Sequence, residues 1–400
     1  MTTVTVRASQ TYDVTIGRGL LATVGRTAAA CFRGRTAAIV SDTNVAPRYL
    51  EAVADSLKGE GFRVCSFVFP AGEEHKNGST YLNLLEFLAQ EHITRADGLI
   101  ALGGGSVIDT AKGVGMVLAQ AGSDLLDAAG CEVLPRGAHV PFVAIPTTAG
   151  TGSEATLVAV VADPANRVKM EFLSYHLLPD AAVLDPRMTE TLPPRITAAT
   201  GFDALVHAIE AATCLQRNPV SDAFAEKAMA QIVRALPRAV QNGKDRKARM
   251  VMANGSLLAG AAFSNSMVGL VHAIGHALGG VCHVAHGEAM TILLPAVMKY
   301  NLEKCKERYG ELLLPLAGPE VYAATPAELR AQKTIDTLVA LRQQLADLTG
   351  LPTTLSQTGR VKPEQFDEVA STALNDGAII VNPAEANHEE IVGILREVWA

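Results

Sequence analysis

The chain has 400 residues, 48% of them hydrophobic, with 34 basic and 41 acidic side chains, a net charge of -7 and a sequence pI of about 5.8. That length suits a globular protein of two domains, each able to bury a core. No basic patch points to nucleic acid, and no basic amphipathic helix to an anionic membrane surface.

Thr3–Val6 and Tyr12–Ile16 read as a hairpin or paired edge strands. Thr36–Val40, Arg63–Phe69, Gly98–Leu102 and Pro141–Ile145 are short runs of Val, Ile, Ala and Leu, separated by helical stretches such as Tyr81–Gln90 and Val107–Ala119. Alternating strand and helix predicts an α/β domain with a mainly parallel sheet covered on both faces. Leu157–Val161 and Val168–Phe172 are expected to form a further hairpin. Beyond Leu192 the pattern turns to long 3.6-residue periods. Pro193-Pro194 suits the first turn of a helix, so the boundary is set there: a dinucleotide-binding domain over 1–192 and a helical domain over 193–400. The start, Met1-Thr-Thr-Val-Thr-Val-Arg7, has no leader-like pattern. The six cysteines are scattered without a CxxC pair, which argues against a disulfide framework or a Cys-based zinc site and fits a reducing cytoplasm.

Two turns are candidates for phosphate. Gly98–Ser106 runs from an apolar strand into Gly103, Gly104 and Gly105, and then into a helix. Glycines allow close backbone approach, and a helix N-terminus attracts anions. The pattern is not GxGxxG, so a plain strand–helix turn reads as well. A second strand runs into Thr147, Thr148, Gly150, Thr151 and Gly152, crowded with hydroxyls and glycines. Ligands of doubly wound sheets bind beyond the strands' carboxyl ends, so the pair of turns favours a nucleotide. Asp42 also ends a strand. It could accept from an adenosine ribose and repel a 2′-phosphate, or it could cap the helix that begins near Val45.

From Met250 to Gly287 there is no Asp, Glu, Lys or Arg. The run is long enough to span a bilayer, but Asn254, Ser264, Asn265, His272 and His276 interrupt it, so it reads as buried helices around a polar site. Asp203 and His207 share a helix face at i, i+4, and His272 and His276 repeat that spacing. His272, His276, His283 and His286 are four of ten histidines, gathered within fifteen positions. Burying so many polar rings is costly without partners. An Asp with neutral imidazoles suits Fe(II) or Zn(II), acting as a Lewis acid on an alcohol oxygen while a nicotinamide takes the hydride.

These motifs together resemble the iron-dependent (group III) alcohol dehydrogenase family: GGGSxxDxAK at Gly103–Lys112, PTTxGTGSE at Pro146–Glu154, GxDAxxHAxE at Gly201–Glu210, HxxxHxxG at His272–Gly279, and the later His286-Gly287. The resemblance runs from about Ile39 to Tyr300. It implies a Rossmann-like N-terminal domain, a helical metal-binding C-terminal domain of the dehydroquinate synthase-like fold, and a cleft for nicotinamide, metal and a small alcohol or aldehyde. It puts the metal on Asp203, His207, His272 and His286, with His283 as the rival ligand. His276 falls on a non-ligand histidine that lines the pocket or relays a proton. Cofactor residues fall on Asp42, Gly103, Gly104, Gly105, Ser106, Asp109, Thr147, Thr148, Thr151, Lys169 and Leu178, with Asp42 favouring NAD(H) over NADP(H). A homodimer is the family expectation. One stretch departs: Phe69–Lys76 looks like 3-dehydroquinate synthase, so the runner-up is an NAD- and metal-dependent sugar-phosphate cyclase. Asp203 where that family has Glu, and the uncharged run where an anionic substrate needs Lys or Arg, favour the dehydrogenase. A non-catalytic relative should have lost a ligand, and all four are present. Cys282, between His276 and His286, could line the pocket but is more simply a packed thiol.

Overall fold

The computed structural model describes residues 2–7, 11–119, 130–131, 140–163 and 167–400. Ten strands are described: β1 (Thr2–Arg7), β2 (Thr11–Ile16), β3 (Thr36–Asp42), β4 (Arg63–Phe69), β5 (Gly98–Gly103), β6 (Gly130–Cys131), β7 (Phe142–Pro146), β8 (Val158–Asp163), β9 (Val168–Leu173) and β10 (Ala181–Leu184). The main sheet has the order β1-β2-β10-β7-β5-β3-β4. β1 and β2 pair antiparallel at its edge, with Val4 opposite Val14, and every other neighbouring pair is parallel. β6, β9 and β8 form a second, three-stranded sheet in which β8 and β9 are neighbours. The reading of the sequence had no strand at β10, which lies between β2 and β7 and joins the N-terminal hairpin to the parallel strands.

Four α-helices are described in this half: α1 (Val24–Cys31), α2 (Ala46–Gly59), α3 (Gly78–Gln90) and α4 (Gly105–Ala119). The two-residue period of the strands sorts their side chains onto opposite faces. Ala38, Val40, Leu99, Ala101, Phe142 and Ala144 pack with Tyr81, Leu84 and Leu88 of α3 and Val107, Ile108 and Ala111 of α4. Ala37, Ile39, Ile100, Leu102, Val143 and Ile145 pack with Val24 and Ala28 of α1 and Val53 and Leu57 of α2. Both faces are dry, which explains why these strands are apolar throughout instead of alternating.

The rest of the described chain is helical: α5 (Pro194–Thr213), α6 (Pro219–Gln241), α7 (Arg246–Phe263), α8 (Leu270–Cys282), α9 (His286–Tyr300), α10 (Leu302–Ala317), α11 (Pro319–Ala324), α12 (Arg330–Thr349), α13 (Phe366–Ala373) and α14 (His388–Glu397). α5 opens with Pro194 in its first turn and is buried on all sides from Gly201 to Thr213, as expected of a helix at the centre of a bundle. It packs against α6, α7 and α9. α6 starts at a capping box, Asn218 with Ser221, and α7 at Asp245, whose side chain accepts from Lys247 N and Ala248 N. The uncharged run forms most of α7 and all of α8, and no helix among the described residues is long and apolar enough to cross a membrane.

The chain divides into two compact units: Met1–Thr148 with Ser153–Ala165 and Met170–Glu190, and Thr191–Ala400 with Ala149–Gly152 and Asn166–Lys169. Two short pieces of the first half thus cluster with the helices. Gly152 shows why: with φ +59°, its bare Cα faces α7, where a Cβ would fall 2.7 Å from Ser256 O and 2.8 Å from Gly260 Cα.

Candidate active site

In the parallel sheet the strand order reverses between β3 and β5. A crevice opens outside the carboxyl ends of such a pair, because successive connections leave to opposite sides. Asp42 ends β3 and Gly103 ends β5. Ser41 Oγ donates to Leu102 O at 2.8 Å across the gap. Gly103 O accepts from Thr147 N at 2.9 Å, so the glycine turn and the start of the threonine turn lie side by side. A Cβ on Gly103 would strike Val107 at 2.4 Å, and one on Gly104 would meet Thr148 at 3.1 Å. Asp42 Oδ1 accepts from Asn44 N (2.8 Å) and Val45 N (3.0 Å), so it caps the following turn.

Several motif residues serve the scaffold. Asp109 is buried; Oδ2 lies 3.0 Å from Lys76 Nζ, and Oδ1 accepts from Ser153 Oγ at 2.7 Å. Lys112 Nζ donates to Thr156 O, Thr156 Oγ1 and Val158 O at 2.8–3.0 Å. Burial pulls the Lys112 ammonium down to about 8 and pushes the Glu154 carboxyl up to about 7. Lys112 and the Asp109–Ser153 bond thus tie the helix behind the glycine turn to the segment after the threonine turn, and Lys76 ties the same helix to the segment before α3. Reading the motifs alone missed both lysines as anchors. Leu178 is buried. Lys169 runs along Gly279, where a Cβ would lie 2.9 Å from Lys169 Cε. The last glycine of HxxxHxxG therefore makes room for a lysine.

The helical unit brings the Asp–His set together. Asp203 and His207 project from one face of α5, His272 from the first turn of α8, and His286 opens α9. Their ligand atoms surround Asp203 Oδ1: His286 Nε2 at 3.4 Å, His272 Nε2 at 3.8 Å and His207 Nδ1 at 3.9 Å. Ligands bound at about 2.1 Å in a tetrahedron stand about 3.4 Å apart. Asp203 Oδ1, His207 Nδ1 and His272 Nε2 are buried and have no hydrogen-bond partner among the described residues. Three such atoms facing one point cost too much to leave unsatisfied, and a divalent cation fits them. Burial pulls His207 down to about 3 against the attraction of Asp203, so its ring is neutral and its lone pair available. Burial would raise Asp203, but the neighbouring histidines hold it well below the usual carboxylate range. Phe263 stacks on His207 at 4.5 Å and fixes its plane.

His276 stacks on His286 at 5.4 Å, and its Nδ1 lies 2.9 Å from Asp376 Oδ2. His283 stands apart: it is exposed, takes a left-handed conformation (φ 57°) and ends α8. Cys282 is a buried free thiol pushed up to about 11 by burial, which makes it a packing residue. Two carboxylates beside the histidines were missed. Glu210 touches His272 and was legible as the third member of an i, i+4, i+7 stripe with Asp203 and His207. Asp376 lies 100 residues beyond His276 and carries no local signal.

Models of two families match the chain: "Iron-containing alcohol dehydrogenase" over residues 12–186 and "Fe-containing alcohol dehydrogenase family, C-terminal" over residues 197–399. The chain belongs to the iron-containing alcohol dehydrogenase family. The dehydrogenase is 37% identical to the NAD-dependent methanol dehydrogenase of Bacillus methanolicus, over 95% of this chain and 96% of that one. It is 38% identical to the 1,3-propanediol dehydrogenase of Klebsiella pneumoniae, over 79% and 80%. The solved structure of an alcohol dehydrogenase from Oenococcus oeni superposes with a TM-score of 0.88 at 31% identity, covering 96% of this chain and 98% of that one. This dehydrogenase is accordingly an oxidoreductase acting on alcohols and aldehydes, and the cyclase reading is set aside.

Proposed function

We propose that this dehydrogenase interconverts short alcohols and their aldehydes with NAD(H), at an Fe(II) held by Asp203, His207, His272 and His286, with Zn(II) as the other ion the donor set suits. The observation that carries this reading is the convergence of three buried ligand atoms without hydrogen-bond partners among the described residues, Asp203 Oδ1, His207 Nδ1 and His272 Nε2, with His286 Nε2 3.4 Å from Asp203 Oδ1. When bound, the ion supplies Lewis acidity, which favours the alkoxide form of an alcohol, and the nicotinamide supplies hydride chemistry. Asp203 provides the one negative charge among the four ligands. His276 donates a hydrogen bond from Nδ1–H to Asp376, so Nε2 is the unprotonated ring nitrogen, which would accept a proton during oxidation and return it during reduction. Asp42, Gly103–Ser106 and the Thr147–Thr151 turn hold the nucleotide at the strand reversal, with Lys169 and Leu178 as further contacts. Asp109 supports that site from beneath through Lys76 and Ser153. The relatives' names point to short primary alcohols as the substrate class. A homodimer and a cytoplasmic location complete the proposal.

The test is NADH oxidation by anaerobically Fe(II)-loaded protein with a panel of short aldehydes, and NAD reduction with methanol, ethanol and 1,3-propanediol. Turnover that vanishes on chelation and returns with Fe(II) is expected. A loaded, NADH-binding protein that turns over none of them would overturn the substrate class.

A further inference from the structure

The first backbone N–H groups of a helix have no partner within it. In α8 two side chains take them: Asn382 Oδ1 accepts from Leu270 N at 3.1 Å, and Glu210 Oε1 from Val271 N at 2.7 Å. The other oxygen of Glu210, Oε2, lies 2.5 Å from His272 Nδ1. Glu210 is 5% exposed and His272 2%. Gly269 leaves space for both acceptors, since a Cβ there would stand 3.0 Å from Asn382 Oδ1 and 3.1 Å from Glu210 Oε1. Asn382 is itself locked by a reciprocal amide pair with Asn301, at 3.0 and 2.9 Å.

We propose that Glu210 is the positioning residue of the metal site: it accepts at once from Val271 N–H and His272 Nδ1–H, and so holds His272 with an unprotonated Nε2 facing Asp203. The proposal rests on His272 being a ligand. A neutral imidazole carries one ring proton, and a carboxylate can only accept. The proton must therefore lie on Nδ1, and the lone pair on Nε2 points at Asp203 Oδ1, 3.8 Å away. A carboxylate behind a ligating histidine also raises its basicity. Asp203 and Glu210 thus bring two carboxylates of α5 to the start of α8, which lies in a run without charged side chains from Met250 to Gly287.

Glutamine cannot replace Glu210 in this role. With its amide oxygen on Val271 N–H, its NH2 faces Nδ1, which must then accept, and the ring proton moves to Nε2. With the amide reversed, the bond to Val271 is lost. Either way the site loses a fixed ligand or a fixed helix start.

The experiment measures Zn(II) affinity of the metal-free full chain by competition with a chromophoric chelator, for wild type, Glu210→Gln, His272→Ala and the double variant. Glu210→Gln should weaken binding roughly 10- to 100-fold, with no further loss once His272 is alanine. Wild-type affinity in Glu210→Gln would overturn the proposal, and so would an equal loss in both backgrounds, which marks a merely structural role. Wild-type affinity in His272→Ala would overturn the ligand assignment instead. Should Glu210→Gln not fold, nitrogen-15 spectra of the metal-free wild type, at a pH where the His272 ring is neutral, decide. The single ring proton is expected on Nδ1, and a single proton on Nε2 would refute the proposal.

Discussion

Asp42 caps the turn after β3, and the proposed nucleotide site would use the same carboxylate. Oδ1 is occupied by Asn44 N and Val45 N, which caps the turn after β3. A nucleotide ribose needs only the other oxygen, and the charge repels a 2′-phosphate whichever oxygen the cap uses. Asp42→Gly should therefore raise the NADPH-to-NADH ratio of kcat/KM by about tenfold, equivalent to about 1.4 kcal/mol. It should also lower stability by roughly a few tenths of a kcal/mol through the lost cap. Initial rates with both nucleotides and a denaturant midpoint separate the two effects. A lower midpoint with an unmoved ratio would leave Asp42 as a cap alone. The buried pair Lys76 and Asp109 shows the opposite case, a motif carboxylate enclosed by protein partners at 3.0 Å and shorter. Nothing in the sequence around either aspartate distinguishes the two, because burial is a property of the neighbours.

At the scale of elements, helical periodicity does most of the work. Asp203, His207 and Glu210 lie on one stripe of α5, and His272 and His276 on one stripe of α8, by spacing alone. The turn after β7 is governed by contact instead. Gly152 combines a φ of +59° with a Cβ position 2.7 Å from Ser256 O, whereas Gly115 within α4 has nothing within 4 Å of its Cβ position. Gly152→Ala should destabilise by about 2–4 kcal/mol through strain and overpacking. Gly115→Ala should be neutral or stabilising by up to about 1 kcal/mol. Urea midpoints of the two variants check this, and equal midpoints would show that the turn does not press on α7. Most strands were legible as apolar runs bounded by glycine or proline. β10 was not: Ala181–Leu184 is only four residues long, and its alanines and valine are as compatible with a helix until β2 and β7 flank it.

For the whole molecule, the proposed metal links three helices that are far apart in sequence, α5, α8 and α9. An ion that binds only the folded chain stabilises it by about 2.7 kcal/mol at a concentration 100 times Kd. Zn(II) should therefore raise the melting temperature followed by helical ellipticity, and excess chelator should reverse the rise. His272→Ala should melt at the same temperature with or without the ion. A wild-type protein that binds Zn(II) with no change in melting would place the ion outside the α5–α8–α9 cluster.

What this sequence settled by itself was what local geometry settles: apolar strand runs, the change to helical periods after Leu192, glycine turns, and pairs of donors one turn apart. A residue's rise and rotation along its own helix are set by the backbone, so i, i+4 spacings can be read without a fold. Only the tertiary structure decided that His286, and not His283, joins Asp203. It did so because α8 ends in a left-handed residue that turns His283 outward, while α9 begins three residues later with its first side chain toward the site. It alone brought Asp376 to His276 and Asn382 to the start of α8. Those meetings depend on how separate helices pack, and the energy of packing is shared among many buried side chains rather than written at any one position.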